Sequence, residues 1–114
     1  MSRVALVVLA LVVGSAAASA ARTNDRDPDP ADGFRAMMND AAARMHVAMN
    51  VHFTGDADRD FARMMIPHHQ GAIDMALAEL RYGKDERLKR LAQEIIVAQQ
   101  QEIAVMHLAL DRER

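Results

Sequence analysis

The sequence predicts an all-α fold: a small antiparallel bundle of three main helices, the central one kinked at a proline. Three observations carry this. Apolar residues recur with the 3.6-residue period in three separate stretches, and no stretch alternates with period two. Thr54-Gly55-Asp56 and Gly83-Lys84-Asp85 break the pattern between them. Both breaks are short, which favours antiparallel neighbours. At 114 residues the chain holds one domain at most.

Residues 1–20 read as a secretory leader. Arg3 precedes an apolar run over residues 4–13, and Ala18-Ser19-Ala20 is a small-x-small cleavage site. Cleavage is expected after Ala20, giving a periplasmic or secreted protein with no stable membrane insertion. Counted on through the alanines, the run also has the length of an uncleaved anchor. The chain has no cysteine, so it has no disulfide and no thiolate metal site. Residues 21–31 are polar with two prolines and no apolar period, a disordered spacer. The helical domain is expected over residues 32–112.

The first helix is expected over residues 34–52, with Asp32 as its N-cap. On a helical wheel Met38, Met45, Met49 and His52 form one stripe, with Arg35, Asp40 and Arg44 off it. His46 sits about 100° from Met45, near enough to share the same interior.

The second helix is expected over residues 57–82, capped by Asp56 or Asp58. Pro67 lies inside it and predicts a kink. Phe61, Met64, Met65, His68, Ala72 and Met75 share one side; Ile66, Ile73, Leu77 and Leu80 share the other. Asp60, Arg63, Gln70, Asp74 and Arg81 form the polar strip. Two apolar sides predict a helix held between neighbours, in a bundle or in a homodimer.

The third helix is expected over residues 86–110. Leu88, Leu91, Ala92, Ile95, Gln99, Ile103, Met106 and Leu110 make one stripe. Glu102 lies beside it, read either as a buried register-fixing partner of Gln99 or as an anchor for a histidine.

Composition removes several function classes. Net charge is −2, and loss of Arg3 with the leader makes it one unit more negative, too mild and mixed for a nucleic-acid partner. Three Phe, one Tyr and no Trp offer no stacking platform for bases. No histidine follows a glutamate by three residues, as a di-iron bundle requires. His-Glu-x-x-His, a nucleophile elbow, a P-loop and a dinucleotide fingerprint are all missing from the sequence. Nothing in the sequence supports turnover, and the expectation is a protein that is not an enzyme.

What remains is soft-metal chemistry. The chain has nine methionines and five histidines. Met64 and His68 are i, i+4; so are Met65 and His69; Met75 is i, i+7 from His68. Such spacings stack side chains on one helix face. Neutral thioethers and imidazoles suit copper(I) and the similar ion silver(I), and discriminate against hard cations. Met45, His46 and Met49 of the first helix and Met106 of the third would help close the shell. Asp74 and Gln70 are candidate orienting partners, because a ligating imidazole usually donates its second nitrogen's hydrogen to an oxygen. The competing reading makes methionine a packing residue and the chain a metal-free module that dimerises or docks through its methionine-rich face.

The run over residues 58–76, Asp-Arg-Asp-Phe-Ala-Arg-Met-Met-Ile-Pro-His-His-Gln-Gly-Ala-Ile-Asp-Met-Ala, resembles the signature of the CopM-like family of exported bacterial helical proteins, long catalogued as a domain of unknown function. Leu91-Ala92-Gln93-Glu94-Ile95-Ile96, Gln99, Glu102-Ile103 and Met106 continue the resemblance, and Met45-His46-x-x-Met49 matches its first helix. Membership implies a ferritin-like, four-helix-bundle type of fold. It also implies, from some relatives, periplasmic binding of copper(I) and silver(I) in copper tolerance. Motif by motif it points to Met45, His46, Met49, Met64, Met65, His68, His69, Asp74, Met75 and Met106. The chain departs in its short length and in Leu108-Ala109-Leu110, where many relatives carry a tryptophan.

Overall fold

Residues 29–112 are described in the computed structural model; the expected leader and most of the spacer lie outside them. The described residues form three helices, α1 (Pro30–Met49), α2 (Ala57–Tyr82) and α3 (Glu86–Asp111), and no strand.

The first helix starts earlier than expected and ends earlier. Asp29, not Asp32, is its N-cap: one carboxylate oxygen accepts the Ala31 N–H at 2.9 Å. Pro30 follows at the position where a missing N–H costs nothing and a fixed φ helps. The end of the expected spacer is therefore helical. At the other end the chain leaves the helix at Asn50, so His52 falls in the connection.

That connection is built on Asp60. Its carboxylate accepts the Thr54 N–H at 2.9 Å, the Thr54 hydroxyl at 2.8 Å and the Gly55 N–H at 3.0 Å. Gly55 has φ +92°, a conformation that favours glycine. Asp60, placed by the wheel on a polar strip, is 8% exposed. Its pKa is held below the ordinary carboxylate value, first by the Thr54 backbone bond and then by the Thr54 hydroxyl and Gly55 N–H, against the opposing effect of burial.

The second helix has the expected bounds, with Asp56 accepting the Arg59 N–H at 3.1 Å as its cap. It runs unbroken through Pro67. Asp85 caps α3 by accepting from Arg87 N–H at 2.8 Å.

The central helix lies between the other two, and α1 and α3 do not touch. Both neighbours run antiparallel to α2: Phe34 meets Tyr82 and Met45 meets Gly71 on one side, and His69 meets Glu102 on the other. The chain is thus a single layer of three helices.

Small residues make the seams. Ala41, Ala62, Ala76, Ala78 and Ala92 are buried, with Ile73 and Met106 the larger buried apolar residues. No large side chain among the described residues is fully buried. A Cβ built on Gly71 would sit 2.7 Å from Met45 Sδ and 3.0 Å from its Cβ, so the absent side chain lets α1 approach. The apolar side of α2 that carries Phe61, Met64, His68 and Met75 is not the side either neighbour covers.

Candidate methionine and histidine site

Because α1 and α3 run antiparallel to α2, the right-handed wheel sorts the layer into two faces. One carries Met38 and Met49 of α1, Phe61, Met64, His68 and Met75 of α2, and Leu91 and Val105 of α3. The other carries Asp40, Arg44, Gln70 and Asp74. On that second face Arg44 donates to Asp74 at 3.1 Å and also pairs with Asp40. Gln70 donates to the other Asp74 oxygen at 3.1 Å. Asp74, first, and Asp40 raise the Arg44 pKa above its ordinary value. Asp74 therefore ties α2 to α1, and Gln70 steadies its other oxygen from within α2. Asp74 is six residues from His68, about 240° round the helix, so the structure does not bring it to either imidazole.

Glu102 is brought to a histidine. Its Oε2 lies 2.6 Å from His69 Nε2, while His69 Nδ1 lies 2.8 Å from the Met65 carbonyl. A carbonyl only accepts, so Nδ1 carries a hydrogen. Nε2 faces the Glu102 carboxylate at hydrogen-bond distance. Both ring nitrogens are thereby engaged, and His69 presents no lone pair for a metal in this arrangement. The His69 side chain is 12% exposed.

His68 differs. Its ring meets His69 edge-on at 5.9 Å between centroids, and it is exposed on the methionine face. The α1–α2 register gives it neighbours. Phe34 with Tyr82, Met45 with Gly71 and Arg44 with Asp74 are all consistent with one antiparallel alignment. Extended by one turn, that alignment puts Met49 level with His68. Met64 lies one turn before His68 on the same face. Met75 is two turns beyond it, about 10.5 Å along the axis, and belongs to a different level.

The remaining candidates sit elsewhere. Met45 is wedged against Gly71 in the α1–α2 seam. His46 is exposed in the last turn of α1, where a basic group complements the helix dipole, and not in an interior. Met65 is half-buried on α2 and gives its carbonyl to His69. Met106 is buried between α2 and α3 and, with Phe61, His69, Glu102 and Val105, lines an open groove of about 480 Å³. A second groove of about 350 Å³ on the same face lies between Met75 and Ala76 of α2 and Leu88, Leu91 and Ile95 of α3. Among the described residues no three His, Cys, Asp or Glu side chains gather as a metal-holding group. A metal bound on this face would need thioether ligands.

Residues 9–110 match the profile of the family described as Domain of unknown function (DUF305). The chain belongs to the DUF305 family. A stretch of 57 residues in this DUF305 chain is 42% identical to an uncharacterized protein of Acanthamoeba polyphaga mimivirus. The match covers 50% of this chain and 38% of that protein. No described helix in the DUF305 chain is long and apolar enough to cross a membrane.

Two residues of structural consequence escaped the sequence reading. Asp60 was one polar residue among several; the signal was its position four residues after a capping Asp56 and just beyond a Thr-Gly turn. Gly71 carried a cue in its place inside a helix, where glycine is costly unless a neighbour needs the space.

Proposed function

We propose that this protein is an exported, CopM-like, ferritin-like helical protein that binds copper(I), and silver(I) by the same chemistry. It sequesters the ion in the periplasm or passes it on, without turnover. The reading is carried by the α1–α2 register, which, extended by one turn, sets Met49 of α1 level with His68 of α2, with Met64 one turn away on the same face. Two thioethers and one imidazole make a soft trigonal donor set for a d¹⁰ cation. Met75 and Met38, further along the face, would serve as secondary donors or as a transfer track. His69, held by Glu102, positions the helix pair beneath the site.

Anaerobic titration with copper(I) against a competing chelator tests this. Wild type should withdraw copper from the chelator, and a Met49→Leu/Met64→Leu/His68→Ala variant should not. Met75→Leu alone should retain most of the affinity. If wild type and the triple variant compete equally, the reading fails.

A second reading has its own observation. Phe61, Leu88, Leu91 and Val105 are exposed on the same face, as a metal-free docking module requires.

A further inference from the structure

We infer that the methionine face is the contact surface for a second copy of this chain, and that two layers pair there into a six-helix body without metal. Domains are built from at least two packed layers around a core. The described residues supply one layer, and its interior is largely alanine, with no large side chain among them fully buried. The missing core lies on the surface. Phe61 is 61% exposed, Val105 65%, Leu88 51% and Leu91 48%. Together these four form an exposed, mostly apolar patch, a start on the ~800 Å² that each partner contributes to a standard interface. Half-buried Met64, Met75 and Ile95 on the same face extend the patch.

The occupant is a second copy because the face is complementary to itself. Projecting Phe61, Leu91 and Val105 stand beside the two α2–α3 grooves, about 480 and 350 Å³. An isologous dimer needs both knob and hole on one patch. Charge does not oppose the contact strongly. The carboxylates lining the grooves are Glu79 and Glu102, and Glu102 already faces His69. The Arg44–Asp74 ion pair between α1 and α2, with Asp40 beside it, lies on the opposite face. Residues 21–28 carry no large apolar side chain that could cover the patch.

The opposite surface of α3 provides an internal control. Gln100 and His107 are exposed as the residues above are, yet the wheel sets them roughly 140–180° round α3 from Leu91 and Val105.

The inference rests on the open face and not on copper, so the test uses metal-free protein in chelator. Sedimentation equilibrium of the exported full chain should give twice the chain mass at tens of micromolar. Leu91→Glu and Val105→Glu should each weaken self-association at least tenfold, with helical circular dichroism retained. Gln100→Glu and His107→Glu should leave it unchanged. A wild-type mass of one chain overturns the inference, whether or not the protein then binds vesicles or another protein. A dimer weakened equally by the control substitutions also overturns it, because the contact would then lie on the wrong side of α3. A copper titration that fails while the dimer persists would remove only the metal reading.

Discussion

Replacing Gly71 by alanine tests how closely α1 approaches α2. Two effects oppose each other. In a helix interior alanine is favoured over glycine by about 0.8–1.0 kcal/mol. Against this, the new methyl carbon would meet Met45 Sδ at 2.7 Å and Met45 Cβ at 3.0 Å. The sulfur can swing aside, but the Cβ moves only with the α1 backbone. Overpacking of this kind typically costs ~1–3 kcal/mol. The net expectation is a loss of about 1 kcal/mol. For a domain of this size that corresponds to a melting point lower by ~4–8 °C. The assay is chemical denaturation of metal-free protein at one fixed concentration, run as a double-mutant cycle with Met45→Ala. In the double variant the sulfur and Cγ are gone, so G71A should cost less there than in wild type, with a coupling of about 0.5–1 kcal/mol. If G71A instead stabilises by the full helix-propensity increment in both backgrounds, Met45 is not against Gly71, and the α1–α2 register that levels Met49 with His68 is wrong.

Other outcomes follow from the same geometry. Asp60→Asn should lower stability at neutral pH and flatten the acid limb. The folded carboxylate is held below its ordinary pKa, so its contribution is present above the unfolded value of about 3.9 and is lost as pH falls through the folded one; denaturant midpoints from pH 3 to 7 read this, and parallel curves for the two proteins would contradict it. Asp29→Ala removes the cap that accepts from Ala31 and should cost about 1 kcal/mol, checked by urea titration. Long-range proton–nitrogen spectra of His69 should place a hydrogen at Nδ1 in wild type and show an altered Nε2 signal in Glu102→Ala; identical spectra would mean that the 2.6 Å contact is not populated. Met75→Leu should leave the first copper(I) equivalent bound in chelator competition, and loss of that equivalent would move the site along α2.

The bounds of α2 were legible because its signals agree: Asp56 before the first turn, a sustained 3.6 period, and Gly83 after the last. The start of α1 was not, because Pro30 looks like the end of a spacer until Asp29 is seen to cap it. The antiparallel order of the helices followed from the short connections. Which sides of α2 are covered did not follow from apolarity. Neighbours dock where backbones come close, so Gly71 and the alanines decide the seams, and the larger methionine-bearing side stays open. Helical spacing alone puts Met64 and His68 together. It could not show that Asp74 answers to Arg44 or that Glu102 reaches His69, since those pairings depend on the register between helices.

The lack of contact between α1 and α3 makes this a nearest-neighbour array. Each outer helix is held by α2 alone, so its stability is the sum of its own helical tendency and one seam. α1 can detach without disturbing the α2–α3 hairpin, and amide hydrogen exchange should separate the two as distinct opening units. Met49 rides on the detachable unit while Met64 and His68 stay with the hairpin. An ion bound across that seam would therefore be released by the peeling of one helix, at a rate set by the α1–α2 seam and not by global unfolding.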